Sequence, residues 1–297
     1  MGQTVKFLLN DKPIELNNVK PTDLLIDLLR SRDINLTGTK LGCGEGGCGA
    51  CTVLLVDENP ETGKLQEKPI NSCLRSICSL NNKGVRTIEG INHHGEKLNP
   101  VSKRLAEFNG SQCGYCSSGM VMCMNGLLAK ESNPTPEQIE KQFSGNICRC
   151  TGYRAILNAM QSFADHPDAI EKANERSLLN ESIDATDITR VDYPADADPY
   201  IKWYNPKNVS EALEVLNKYR RMGKSVKLVH GNTSIGIYKW IDTIEDVFIN
   251  VAELDCYQKM ELIENKEALK IGSGVTLSAI MDKILMLRET LPASKMK

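Results

Sequence analysis

Eight of the eleven cysteines stand at spacings that gather several thiolates on one inorganic centre. Cys43, Cys48, Cys51 and Cys73 form one set; Cys113, Cys116, Cys148 and Cys150 form the other. Thiolates are soft ligands, so the chemistry on offer is iron–sulfur electron transfer or structural zinc. The first set reads C-x4-C-x2-C followed by a distant fourth cysteine, a spacing used by [2Fe-2S] loops. In LGCGEGGCGAC, Gly42, Gly44, Gly46, Gly47 and Gly49 tolerate positive φ and leave backbone N–H groups to point at sulfur. Structural zinc usually takes its ligands as two short knuckles, so this spacing favours iron, with zinc and unligated thiols as the alternatives. Gly42, Gly44 and Gly47 also spell G-x-G-x-x-G. A dinucleotide reading fails there, because cysteines fill the loop and the β-rich stretch Thr52 to Val56 follows where a helix should open.

The second set joins a C-x2-C pair to a C-x-C pair. The first pair alone also suits a thioredoxin-like motif or a zinc knuckle. Cys148 and Cys150 present two thiolates from one short turn, bracketed by Gly145 and Gly152, and beside the first set this favours a second [2Fe-2S] site.

Two kinds of element must hold these loops. Over residues 1–90, Val5, Phe7 and Leu9 alternate as a strand, Asn10 to Pro13 supplies a turn, and Ile14 to Leu16 returns. Thr22 is the expected N-cap of a helix whose Leu24, Leu25, Leu28 and Leu29 face the sheet. After the cysteine loop come the strand Thr52 to Val56, a turn at Asn59 to Gly63 and a closing strand at Val85 to Ile88.

Over residues 91–165 the period becomes helical. Helices are expected at Val101 to Phe108, Gly119 to Lys130, Pro136 to Phe143 and Arg154 to Ala164. Thr135, Pro136 and Gln138 spell a capping box with proline at the first helical position. Ile156, Met160 and Phe163 mark a core-facing stripe. Met120, Met122 and Met124 cannot share one helix side and are expected to fill gaps around the second centre.

Residues 165–200 carry ten acidic and three basic residues, and Pro167, Pro194 and Pro199; residues 166–200 are therefore read as an acidic linker. Beyond it, Ser210 is the expected cap of a helix ended by Gly223, and Val226 to Val229 forms a strand. Gly231, Asn232 and Thr233 follow; by themselves they indicate a turn. Strands at Val247 to Val251, Gln258 to Ile263 and Ala268 to Gly272 complete a small lobe.

Length allows about two domains, and a net charge of −2 gives no electrostatic case for nucleic acid. No apolar run approaches the ~20 residues of a membrane span. Met1 leads into a strand pattern rather than a signal sequence, and Lys6 stands where myristoylation needs Ser or Thr. The cytosol is the expected compartment, where thiols stay reduced. Cys78, Cys123 and Cys256 lack partners at ligand spacing and read as ordinary buried thiols. His93 and His94 read as solvated.

The segments GCGEGGCGACTV (Gly42 to Val53), QCGYC with GMVM (Gln112 to Met122) and NICRCTGYR (Asn146 to Arg154) resemble the iron–sulfur part of the xanthine dehydrogenase and aldehyde oxidase family of molybdenum hydroxylases. KLVHGNTSIGIY, Lys227 to Tyr238, is similar to the family's segment cradling the FAD pyrophosphate. Ser117 and Ser118 stand in place of the family's Thr-Pro, Ala155 in place of proline, and His230 in place of a small aliphatic residue. None of these departures touches a cysteine.

The resemblance implies an α+β chain. It would comprise a β-grasp [2Fe-2S] ferredoxin domain at 1–90, a four-helix-bundle [2Fe-2S] domain at 91–165, and the N-terminal α+β lobe of an FAD-binding domain at 201–297. It implies two [2Fe-2S] clusters on the eight cysteines, and FAD on Lys227, Leu228, Val229, His230, Gly231, Asn232, Thr233, Ser234 and Ile235. Gln112 and Cys150 would stand beside a molybdopterin carried by a missing domain or partner, with a homodimer as the complete enzyme. The function implied is relay of electrons from molybdopterin through both clusters to FAD; a stand-alone ferredoxin-like carrier or a zinc-stabilised interaction module is the alternative. In the family, the segments holding the flavin ring lie beyond the position of Lys297. Phosphate contacts alone must offset an association entropy of ~4 to 15 kcal/mol, so FAD affinity is expected to be micromolar at best.

Overall fold

A sheet with apolar residues on both faces must be covered twice, and the run Val53, Leu54, Leu55 and Val56, all buried, shows that this one is. The computed structural model describes residues 3–59, 63–92, 98–164, 189–192, 201–233, 237, 245–263 and 268–290. The chain is mixed α+β and divides into two compact units, Met1–Ala197 with Asn232–Ile241, and Asp198–Gly231 with Asp242–Lys297.

In the first unit, β1 (Gln3–Leu9) and β2 (Lys12–Val19) pair antiparallel, with Phe7 opposite Ile14. β3 (Thr52–Glu58), β4 (Leu65–Asn71) and β5 (Gly84–Arg86) extend the sheet, giving the order β4-β3-β5-β1-β2. The short helix α1 (Leu25–Leu29) buries Leu25, Ile26, Leu28 and Leu29. Thr22 does not cap it: the N-cap is Leu24, without a side-chain bond, and Asp23 instead accepts from the Lys20 N–H at 2.7 Å.

Strand β4 was not expected from LQEKPIN. It lies at the sheet edge with Pro69 opposite Leu54, a place where a residue without an N–H is tolerated. The acidic stretch expected as linker also contributes a strand, β6 (Thr189–Asp192), which pairs parallel to β2 on the other edge.

After a single turn, α2 (Ile88–Ile91), four helices follow: α3 (Pro100–Glu107), α4 (Ser117–Lys130), α5 (Pro136–Gln142) and α6 (Arg154–Gln161). Each lies within three residues of its expected bounds. Val101, Leu105, Met120, Met124, Ile139, Ile156, Met160 and Phe163 share their core. The Thr135 hydroxyl accepts from Gln138 N–H while the Gln138 side chain accepts from Thr135 N–H, the reciprocal bonds of a capping box. Helix α4 is buried all round, Met120, Met122 and Met124 included, because it also packs on β3 and β4. A Cβ at Gly126 would lie 2.8 Å from Pro69, so glycine there lets helix and sheet approach.

In the second unit, β7 (Lys202–Tyr204), β8 (Val226–Val229) and β9 (Val247–Asn250) form a parallel sheet in the order β7-β9-β8. Helix α7 (Val209–Arg221) is capped two residues before the expected position: Asn208, not Ser210, accepts from Glu211 N–H at 2.9 Å. Glu211 Oε1 accepts from Asn208 Nδ2 at 2.9 Å in return, and Glu211 Oε2 accepts from Lys207 N–H. The segment expected as a strand from Gln258 begins as a helical turn, α8 (Asp255–Gln258), before β10 (Met260–Leu262) pairs with β11 (Leu269–Ile271). Helix α9 (Leu277–Thr290) follows.

Candidate metal centres

The loop from Gly42 to Cys51 curls through three left-handed glycines, Gly44 (φ 71°), Gly46 (φ 76°) and Gly49 (φ 68°). That path turns backbone N–H groups inward. Glu45 N–H donates to Cys43 Sγ at 3.3 Å, and the N–H groups of Gly47 and Cys48 also face that sulfur. Burial alone would raise the Cys43 pKa; these donors and the Cys48 thiol hold it below the ordinary thiol value. The partner Cys48 is pushed up, first by burial.

The same division recurs between Cys51 and Cys73. The Cys73 thiol donates to Cys51, whose pKa falls to about 6 against the pull of burial, while Cys73 rises because its proton is the one shared. In the second set, burial and then the Cys148 thiol push Cys116 up to about 12. Cys148 is lowered against its burial by Thr151 and the Cys150 N–H, with the Thr151 hydroxyl 3.1 Å from its sulfur. Cys150 is raised by its bond with the Cys113 thiol.

All eight expected ligands thus meet, as four pairs: Cys43 with Cys48, Cys51 with Cys73, Cys113 with Cys150 and Cys116 with Cys148. Among the described residues no three Cys, His, Asp or Glu side chains converge as a single metal ion requires. Two thiol pairs in each set fit a two-iron core held by four thiolates. Charge fits as well, since N–H donors at Cys43 and Cys51 and the Thr151 hydroxyl at Cys148 favour thiolate over thiol.

Residues that the spacing did not single out shape both loops. Asn71 Nδ2 donates to Gly46 O at 3.0 Å, pinning the first loop from strand β4. The second loop ends on left-handed Gly152 (φ 66°) and Tyr153 (φ 69°), and the Tyr153 hydroxyl accepts from Cys148 N–H at 3.1 Å. The two loops touch directly. Ile147 N–H donates to Cys48 O at 2.9 Å, and buried Asn146 donates to Gly49 O at 3.3 Å. A Cβ at Gly119 would stand 2.1 Å from Gly49 O, so the start of α4 reaches the first loop only as glycine.

Tyr115 Oη donates to Leu41 O at 2.6 Å, and Leu41, Tyr115 and Ile147 are exposed around the loops, as are Gln112, Cys43, Cys113 and Cys150. Cys78 and Cys123 are buried as expected, with thiols pushed by burial to about 12 and about 11. Cys256 corrects the expectation: it is exposed, because α8 is a single turn with no buried residue. His93 and His94 lie outside the described residues.

Lys227, Leu228 and Val229 belong to β8, and His230 and Gly231 of the second unit, then Asn232 and Thr233, follow at its carboxyl end, where parallel sheets place ligand loops. Ser234 and Ile235 lie outside the described residues. Gly231 (φ 65°) and Asn232 (φ 58°) are both left-handed, which makes the segment a tight turn. His230 Nε2 bonds the Gln258 amide at 2.9 Å, and that amide nitrogen also donates to Ala252 O at 3.0 Å. A Cβ at Gly274 would lie 2.7 Å from His230 Nε2, so the bulk of this histidine fits because residue 274 is glycine.

Three protein-family models match: "2Fe-2S iron-sulfur cluster binding domain" at residues 7–78, "[2Fe-2S] binding domain" at 87–161, and "FAD binding domain in molybdopterin dehydrogenase" at 199–295. Aldehyde oxidase 1 of Bos taurus is 31% identical across 99% of this chain and 24% of its own length. Indole-3-acetaldehyde oxidase of Arabidopsis thaliana is 35% identical across 93% of this chain and 22% of its own. This chain therefore spans about a quarter of the curated relatives it matches. Among solved structures, quinoline 2-oxidoreductase from Pseudomonas putida 86 is 33% identical, covering 59% of this chain and 98% of that chain, with a TM-score of 0.49. With two cluster-binding domains and a flavin-binding domain in that order, and aldehyde oxidases aligned along nearly its whole length, the chain belongs to the xanthine dehydrogenase/aldehyde oxidase family.

Proposed function

We propose that this chain is the electron-transfer portion of a molybdenum hydroxylase, an oxidoreductase in which electrons leaving a molybdopterin site pass to FAD. Bound [2Fe-2S] clusters supply one-electron relay, and bound FAD joins it to two-electron chemistry. The observation that carries the reading is the hydrogen bond from Ile147 N–H to Cys48 O. It joins one ligand residue to the neighbour of another, so the two thiolate sets share a bonded path with a single hydrogen bond in it.

Cys43, Cys48, Cys51 and Cys73 would hold one cluster and Cys113, Cys116, Cys148 and Cys150 the other. The glycine N–H groups stabilise thiolate, Asn71 and Tyr153 fix the loops, and the buried core beneath excludes water. Exposed Leu41, Tyr115 and Ile147, with Gln112, form the face we assign to a molybdenum-binding domain or subunit. We read the first sheet and α1 as a β-grasp domain at 1–90, α3 to α6 as a four-helix bundle at 91–165, and 201–297 as the flavin lobe. The parallel strands and turn at Gly231–Thr233 support that last assignment. Homodimerisation belongs to the complete enzyme in this reading.

Purified chain should contain about four iron and four labile sulfide and show two electron-paramagnetic signals after reduction. Cys148→Ser should remove one signal and Cys43→Ser the other. If either change erased both signals in a folded chain, the assignment to two independent clusters would fail.

A further inference from the structure

The turn that the resemblance assigns to the FAD diphosphate has a side chain pointed elsewhere. Asn232 Nδ2 donates to Leu74 O at 3.0 Å, across 158 residues of sequence. Leu74 follows Cys73, a cluster ligand in the reading above, and is buried. Its side chain closes on the first cysteine loop: a Cβ at Gly46 would lie 2.6 Å from Leu74 Cδ1. Five residues past Asn232, Ile237 packs on the buried group of Ile26, Cys51, Cys73 and Leu74. One polar and one apolar contact therefore anchor the same short segment to the peptide beside Cys73, and Asn232–Ile241 groups with the cysteine-bearing unit while Gly231 does not.

A left-handed φ of 58° explains why residue 232 is not β-branched, but glycine would meet that need as well. Only the amide explains the bond to Leu74. We propose that Asn232 is a positioning residue that ties the diphosphate turn of the flavin segment to the main chain beside ligand Cys73. Its main chain shapes the turn; its amide polarises the Leu74 carbonyl next to the cluster. This rests on the cluster and flavin assignments above. Without the donor, the uncompensated carbonyl dipole disfavours the added electron, so the potential of that cluster falls, because hydrogen bonds and dipoles around a cluster tune its potential. The turn also loses its anchor.

The test uses the full chain with both clusters loaded and reads the midpoint potential of each paramagnetic signal, together with FAD affinity by fluorescence quenching. Asn232→Gly keeps the left-handed backbone and removes only the amide. It should lower the midpoint of the Cys43-set signal, leave the Cys113-set midpoint in place, retain iron and sulfide, and bind FAD about tenfold more weakly, the measure of one net hydrogen bond. Asn232→Asp places an acceptor against the Leu74 carbonyl and should lower the same midpoint further. Unchanged midpoints in both variants would overturn the proposal while leaving the cluster assignment standing. A wild-type chain without iron would overturn that assignment and the proposal with it. A wild-type chain that holds both clusters but no FAD would remove the flavin assignment alone, and the midpoint shift would still decide for or against Asn232.

Discussion

At the residue scale the cysteines divide into proton donors and acceptors, and the glycines decide whether their loops can meet. Gly119 is tightly constrained, since a methyl group there would stand 2.1 Å from the backbone oxygen of Gly49. Gly119→Ala must move either α4 or the first loop, and overpacking of this kind costs about 1 to 3 kcal/mol. Denaturant unfolding should show that loss. Gly145→Ala, where a Cβ meets nothing within 4 Å, should leave the midpoint close to wild type and serves as the control. Asp246 offers a second test. It accepts from Lys224 Nζ at 2.9 Å and from the Ser225 N–H and hydroxyl, and these partners, the Lys224 bond first, lower its pKa from 3.8. A lowered carboxylate contributes stability that is present above its unfolded pKa and lost as pH falls through the folded value. Asp246→Asn should therefore flatten the dependence of unfolding on pH below about 4, and a Tm series from pH 2.5 to 7 measures it.

At the scale of elements, local signals wrote the helices clearly and the strands unevenly. The capping box at Thr135 is made as its residues indicate, and Thr135→Ala should cost about 1 kcal/mol, read as a shift of the denaturant midpoint without change in slope. The expected caps Thr22 and Ser210 are displaced for a physical reason: a hydroxyl near a helix start competes with other groups for the same N–H bonds. At α7 the Asn208–Glu211 pair offers bonds in both directions and wins. Strand β4 is not legible in the sequence because its charged and prolyl residues have low strand propensity, and an edge position makes that tolerable. Strand β6 lay in a stretch whose acidity indicated a linker, and only pairing with β2 gives it structure.

At the scale of the whole molecule, the exposed residues around the cysteine loops bear on the partner we propose. Gln112 is exposed and Tyr115 is 47% exposed, whereas the α4 core beyond them is buried. Amides at 112–115 should exchange quickly in the isolated chain and slow when a molybdenum-bearing partner is added, while exchange in the second half of α4 stays slow throughout. Equal protection of both segments before the partner is added would argue against a docking face there. Among the described residues no helix is long and apolar enough to cross a membrane.

What the sequence by itself determined is local: the eight cysteines at ligand spacing, the glycines that let their loops curl, the four helices between 100 and 161, and the turn at Gly231–Thr233. Residue type and spacing suffice to read each of them. Tertiary structure decided which thiol meets which, since Cys51 with Cys73 and Cys113 with Cys150 pair across folded loops. It also decided the contacts of Ile147 with Cys48, Asn146 with Gly49 and Asn232 with Leu74. The last two span 97 and 158 residues, and no periodicity or motif encodes a bond whose partner is brought near only by packing a helix against a sheet or a turn against a buried apolar group. Cys256 marks the same limit from the other side: its type indicated burial, and the single-turn helix that carries it left the thiol at the surface.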